Sequence, residues 1–391
     1  MVTKCPGIPQ AAQQLERRGS SSMYWIDPIA DPRWAQLVAR HPHASVFHTS
    51  FWLDALRRTY RYQPIALTSS RAGVDLNDGV AFCQVKSWIS GSRLVSLPFS
   101  DHCHPLLECG NGFGAFTACL AEHCARSGWE YVEIRPAGHP DFDTGDSAFL
   151  PQPDGQGNGS ILPGCDDCDR GFEMHQQYKL HTIDLRPDLD TLFRNFHRSC
   201  VQRKIQQAER EGLEYEAGRS EANVNTFYRL LLLTRRRHGL PPQPLRWFQN
   251  LNDCFGNGFT IHVASKNSRP IATILTLQYK GTVVYKYGCS DAAFHSLGAM
   301  PMLFWKIIQT GKRSGARELD LGRTDLDNPG LTAFKQRLGA SCSRLTYFRL
   351  GRERNHASTT RAPWRIARSV FTRMPERLAQ IAGSVLYRHM G

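Results

Sequence analysis

One segment constrains this chain more than any other: Leu319-Asp-Leu-Gly-Arg-Thr-Asp-Leu-Asp-Asn-Pro-Gly-Leu-Thr-Ala-Phe-Lys-Gln-Arg-Leu-Gly339. Leu319 to Leu321 reads as a buried strand, and the polar, glycine-containing stretch after it as a surface loop. A short helix carrying Phe334 and Lys335 comes next. Just upstream, Tyr285-Lys-Tyr-Gly288 closes a strand, and Gly298-Ala-Met-Pro301 opens an apolar helix that ends near Gly315. Strand, turn, helix, strand and a polar loop therefore follow one another without interruption. That order demands a sheet with a crossover helix, which is an α/β (α+β) arrangement.

The rest of the chain fits two such units. At 391 residues it is long enough for two cores, and 41% hydrophobic residues are those of a folded chain. Residues 1–22 are polar without an apolar core, and are expected to be disordered rather than a secretion signal. A first unit, 23–180, holds a helix from Ser45 to Leu56, strands near 64–69, 79–85 and 93–98, a helix at 114–127 and a strand at 131–136. The polar stretch Asp154 to Gly159 reads as a flexible insertion. A second unit, 181–350, opens with a strand at Thr182–Leu185, then a basic helix from Asp190 to Gly212 and another from Glu221 to Arg237. Strands follow at 259–264, 271–279, 281–289 and 319–321. A crossover helix spans 294–311, and a closing strand 345–350. Both units read helix, antiparallel strands, helix, strand, as a duplicated unit would.

The net charge of +13 asks for an anionic partner or surface. Part of it lies in the tail, 351–391, where eight arginines stand against two glutamates. The tail's apolar stripe and arginine face suit either an interfacial helix on anionic lipid or a helix packed on the second unit. No apolar run approaches the ~20 residues of a membrane span, so the cytoplasm is the expected compartment; the lipid alternative would place the tail peripherally at the inner face of the membrane. Twelve cysteines are then expected to be reduced. Cys165 and Cys168 have a knuckle spacing with no matching second pair, and the Cys103, Cys109, Cys119 and Cys124 group lacks a closed four-ligand pattern. No metal site is expected.

On these residues the chain resembles the GNAT-fold acyltransferases, in particular the branch related to the Fem peptidyltransferases. The resemblance runs from about Trp25 to the C-terminus. It implies tandem GNAT-like domains, each a mostly antiparallel mixed sheet flanked by helices, with the basic C-terminal helix appended. It also implies acyl-CoA as co-substrate, with aminoacyl-tRNA as the alternative donor. In that family a Phe-Lys pair in a similar context is proposed to set a lysine against the reacting carbonyl, which points to Phe334 and Lys335. From residue types alone, Lys335 reads as an outward lysine on a helix whose Phe334 and Leu338 face in; the resemblance reverses that reading. Asp320 would accept a proton or orient the acceptor amine, with Arg323 beside it, although a plain Asp–Arg ion pair explains both as well.

Donor contacts are expected from Tyr285, Tyr287, Gly288, His295, Gly298 and Ala299, where strand and helix N-terminus meet. The family's coenzyme A loop places a Gln or Arg, a Gly, and a Gly or Ala where this chain has His295, Gly298 and Met300, so only the first glycine matches. Asp101 and His102, in a loop similar to one lying near the family's cleft, are candidate acceptor contacts. Arg203 and Lys204, on the basic helix, would guide a phosphorylated donor or acceptor. The functions this leaves are an N-acyltransferase acting on an amine of a cell-envelope or exopolysaccharide precursor, an aminoacyl-tRNA-dependent transferase of peptidoglycan precursors, or a non-catalytic scaffold of an envelope polysaccharide or export system. DNA is not an expected partner.

Overall fold

The computed structural model describes residues 23–88, 91–107, 113–137, 171–351 and 370–390. The first half runs β1 (Tyr24–Ile26), α1 (Pro32–Arg40), α2 (Ser50–Tyr60), β2 (Gln63–Thr68), β3 (Val80–Ser87), β4 (Gly91–Val95), α3 (Phe113–Ser127) and β5 (Tyr131–Ile134). The second half begins with β6 (Glu173–Asp184), α4 (Leu189–Asn195), a π-type turn at Arg198–Gln202, α5 (Arg203–Arg210), β7 (Glu214–Gly218), α6 (Glu221–His238) and α7 (Leu245–Phe255). It continues through β8 (Phe259–Lys266), β9 (Arg269–Tyr279), β10 (Thr282–Ser290), α8 (Ala299–Arg313), β11 (Glu318–Asp325), α9 (Pro329–Arg337) and β12 (Ser341–Gly351), and α10 (Glu376–Tyr387) lies in the tail.

The twelve strands among the described residues form one sheet, ordered β1-β2-β3-β4-β5-β12-β6-β11-β10-β9-β8-β7. The halves are joined edge to edge, because β12 pairs antiparallel with both β5 and β6. Each half contains one parallel pair made by a crossover helix: β4 with β5 around α3, and β10 with β11 around α8. That repetition is the tandem arrangement expected from the sequence. The expected unit boundary at 180/181 falls inside β6.

Several elements differ from the sequence expectation. The basic helix Asp190–Gly212 is broken, because the Gln202 side chain donates to the carbonyls of Phe193 (3.1 Å) and Phe196 (2.8 Å). The His197 ring meanwhile accepts from Cys200 N (3.3 Å), capping a fresh start. These side chains satisfy a helix end that would otherwise be orphaned. The strand at 319–321 extends to Asp325, and the crossover helix begins only at Ala299, behind a 3-10 turn at Ala292–Leu297. β1, α1, β7 and α7 were not foreseen. The Asp154–Gly159 insertion, Cys109, Cys165 and Cys168 lie outside the described residues. Among the described residues no group of His, Cys, Asp and Glu is arranged to hold a metal, and no helix is long and apolar enough to cross a membrane.

The halves also share a core. Trp52 on α2 meets Trp247 on α7 edge-to-face, with centroids 5.2 Å apart, and Tyr60, Phe99 and Tyr287 surround them. Such pairs contribute about 0.5–1.5 kcal/mol each beyond the area they bury. This aromatic layer fixes α2, and the loop 96–106 that follows β4, against β10.

Candidate active site

β10 and β11 pair only at Thr282–Val284 with Glu318–Asp320, and beyond that point no pairing between them remains. Two irregularities accompany the separation. β10 is bulged between Tyr285 and Tyr287, and β11 between Asp320 and Arg323. Gly322, inside the second bulge, has φ +70°, a conformation that disfavours a side chain. An added Cβ there would also press on Asp101 at 3.1 Å. The splay thus exposes backbone and admits a loop from the other half.

That loop brings Asp101 and His102. Asp101 Oδ2 accepts from Lys286 Nζ at 2.9 Å, and Arg323 Nε lies 3.9 Å from Oδ1. Burial pushes the Asp101 carboxyl up, but the charges of Lys286 and Arg323 outweigh it and hold it at about 2. His102 Nε2 lies 2.9 Å from Asp320 Oδ2, and Asp320 Oδ1 accepts from Gly322 N at 2.7 Å. Burial disfavours a charged His102, yet the hydrogen bond and charge of Asp320 dominate, so its pKa is raised. A hydrogen on Nε2 donating to the carboxylate leaves Nδ1 with a lone pair, and Nδ1 has no hydrogen bond to a described residue. Phe47 packs edge-on against the imidazole.

Lys335, on α9, is only 3% exposed. Its Nζ donates to the carbonyls of Gly322 (2.9 Å) and Arg323 (3.0 Å), which clamps the β11 bulge. Burial lowers its pKa to about 8, against the pull of Asp101 and Asp320. The lysine therefore points inward, not outward as its residue type alone allows. Phe334 instead packs on Phe304 in the second-half core. Arg323 does not pair with Asp320. It donates to Tyr347 OH (2.7 Å) and lies over the Tyr178 ring, while Tyr347 OH donates to Asp101 O (2.6 Å). Arg135 donates to the carbonyls of Leu97 and Ser100, pinning the loop, and is itself paired with Glu133.

Asp101, His102, Asp320, Arg323 and Lys335 are thus gathered in one place. Lys286, Tyr347 and Arg135 join them and were missed. A lysine inside an otherwise apolar strand was the available signal for Lys286, but only the bulge brings it to the site.

The expected donor contacts lie further along β10 and at the start of α8. The half-buried Tyr285 ring packs against Phe304, with Gly288 beside it. Tyr287 OH accepts from Trp247 Nε1 at 3.0 Å and belongs to the aromatic core. His295 meets Ser290 Oγ (2.9 Å) and Arg237 (3.3 Å); burial first, then Arg237, lowers its pKa. Gly298 forms the left-handed turn before the buried Ala299 and lies against the Lys204 carbonyl. Lys204 Nζ donates to Ser296 O (3.0 Å), whereas Arg203 is exposed.

Residues 195–336 match the family model described as acetyltransferase (GNAT) domain. A 139-residue stretch is 26% identical to the UDP-N-acetylmuramoylpentapeptide-lysine N(6)-alanyltransferase of Weissella viridescens, covering 34% of this chain and 41% of that relative. The fold is similar to the crystal structure of FemX, with TM-score 0.60, 13% identity and coverage of 81% of this chain and 95% of that one. It is also similar to L-PGS from Bacillus licheniformis, with TM-score 0.50, 15% identity and coverage of 90% and 98%. Residues 195–336 thus carry a GNAT-type segment, within a chain whose fold is similar to that of FemX. The likeness in fold extends over both halves, which share one sheet.

Proposed function

We propose that the chain is an N-acyltransferase moving an acyl group from acyl-CoA to an amine on a cell-envelope or exopolysaccharide precursor. The observation that carries this reading is the His102–Asp320 pair standing in the β10–β11 splay with Nδ1 uncommitted. The acceptor nitrogen attacks the thioester carbonyl carbon, and its proton passes to His102 Nδ1. Asp320 fixes the ring and stabilises the imidazolium. Lys335, with one hydrogen beyond its two carbonyl contacts, and the cations Lys286 and Arg323 stabilise the charge on the carbonyl oxygen. Collapse breaks the C–S bond, and the imidazolium returns its proton to the departing thiolate. Asp101 positions Lys286 and Arg323. Arg203 and Lys204, together with the turn at His295–Ala299, are the proposed contacts for donor phosphates. The matching compartment is the cytoplasm at the inner face of the membrane.

Similarity to an alanyltransferase of a muramoylpentapeptide, together with the +13 charge, favours a second reading with aminoacyl-tRNA as donor and a peptidoglycan precursor as acceptor. Labelled acyl-CoA and, separately, charged tRNA are to be incubated with the protein and amine-bearing precursors. Labelled amide product from acyl-CoA is expected, insensitive to ribonuclease and abolished in His102→Gln. Product that vanishes with ribonuclease would assign tRNA as donor, and no product from either donor would favour the scaffold.

A further inference from the structure

The tail helix α10 has one face fixed to the body and one that no described residue covers. On the fixed face, Gly383 lies so close to the Pro242 carbonyl that a Cβ would collide with it. Tyr387 OH donates to Pro241 O (3.3 Å), Tyr62 OH donates to Tyr387 O (2.8 Å), and the Tyr387 ring meets Phe99 at 5.7 Å. Arg93 donates to His389 O (2.7 Å), and Trp88 Nε1 to His389 Nε2 (3.1 Å). The helix is therefore held by both halves.

On the opposite face, Leu378, Ile381 and Val385 recur at three- and four-residue spacing, which aligns them in one stripe. They are exposed by 54%, 61% and 50%. Val370 and Met390 are exposed at either end, and Trp88, beside His389, is 83% exposed. Around this stripe the exposed Arg373, Arg377 and Arg388 form no ion pair with a described residue.

We infer that this face of α10, with Trp88, docks on a bilayer carrying anionic lipid. Apolar side chains ringed by unpaired arginines match an acyl-chain boundary beneath anionic headgroups, where an indole is also favourably placed. A second copy fits worse, since it would bring the same arginines together on a chain already at +13. The helix needs no ordering on contact, because its rear face is already pinned. Tyr387 touches Phe99, in the loop that carries Asp101 and His102, so the bilayer would lie close to the acceptor side of the site. The inference stands whether or not the acyl-transfer reading holds.

The test is co-sedimentation of the full chain with vesicles of phosphatidylglycerol and phosphatidylcholine, against phosphatidylcholine alone. Binding to the anionic vesicles is expected, and it should weaken as salt screens the charges. Leu378→Asp and Ile381→Asp should each weaken it by about tenfold or more, from the apolar area lost to the interface. The double variant Arg377→Glu, Arg388→Glu should remove the preference for anionic vesicles. These positions are exposed, and circular dichroism checks that the variants fold. Failure of the wild type to bind anionic vesicles would overturn the inference, as would binding indifferent to Ile381→Asp. A self-association abolished by Ile381→Asp, seen by ultracentrifugation without vesicle binding, would assign the face to a second copy instead.

Discussion

Replacing Lys335 with methionine keeps the buried stem but removes the charge and both carbonyl hydrogen bonds. A pKa lowered from 10.5 to about 8 means that holding the cation at pH 7 costs the folded state about 3 kcal/mol, at 1.36 kcal/mol per unit. Against this, the carbonyls of Gly322 and Arg323 lose their donor, at about 1–3 kcal/mol each. Asp101 and Asp320 keep Lys286, Arg323, His102 and Gly322 N as partners, so no carboxylate is stranded. The terms oppose each other, and Lys335→Met is expected to lie between about 1 kcal/mol more stable and about 3 kcal/mol less stable than wild type at pH 7. The sign of the pH dependence follows from the lowered pKa. Between about 8 and 10.5 the folded lysine has lost its proton while the unfolded one keeps it, so wild type gains stability relative to Lys335→Met as pH rises through that window. Urea unfolding of both proteins at pH 7 and pH 10, followed by fluorescence, measures each quantity. A loss above about 4 kcal/mol at pH 7, or a difference that does not change with pH, would refute the reasoning. It would make the lysine a structural pin rather than a group placed for chemistry at some expense of stability.

Three further outcomes are expected. If His102 is the base, the acid limb of the pH–rate profile should lie above the usual histidine value near 6.5, because the Asp320 contact raises its pKa; His102→Gln should lose both the limb and about a hundredfold or more in rate. Asp101, held at about 2 against an ordinary 3.8, contributes stability that is present above pH 4 and lost as pH falls toward 2; the difference in unfolding free energy between wild type and Asp101→Asn should shrink by about 2 kcal/mol across that window, and a pH-independent difference would contradict the ion pair. Trp247→Ala should cost about 3–5 kcal/mol in urea unfolding, since the ring is fully buried where the halves meet, and a loss under 1 kcal/mol would mean that the core there can collapse.

Much of the site could be read from the chain because its second-half part is local. Leu319 and Leu321 flank Asp320 at the strand period, and asparagine, proline and glycine announce the turn into the helix that carries Lys335. The parts that could not be read are long-range or irregular. Nothing near Asp101 or His102 shows that the loop crosses into the other half, because Lys286, 185 residues away, supplies the counter-charge. The bulge at Tyr285/Tyr287 breaks the alternation by which a strand residue's face is assigned. Gln202 likewise ends a helix whose hydrophobic spacing would carry it onward, using a side-chain cap that propensity does not register. The ion pair expected between Arg323 and Asp320 failed for a similar reason: Asp320 was taken by a histidine from the other half.

The most direct test of the central claim, that the splay between β10 and β11 is an acyl-transfer site, is isothermal titration of the full chain with acetyl-CoA and longer acyl-CoAs. Saturable binding of one acyl-CoA per chain is the expected result, at an affinity on the order of micromolar. An absence of heat with every acyl-CoA, repeated with charged tRNA, would contradict the claim and leave a GNAT fold that has given up transfer.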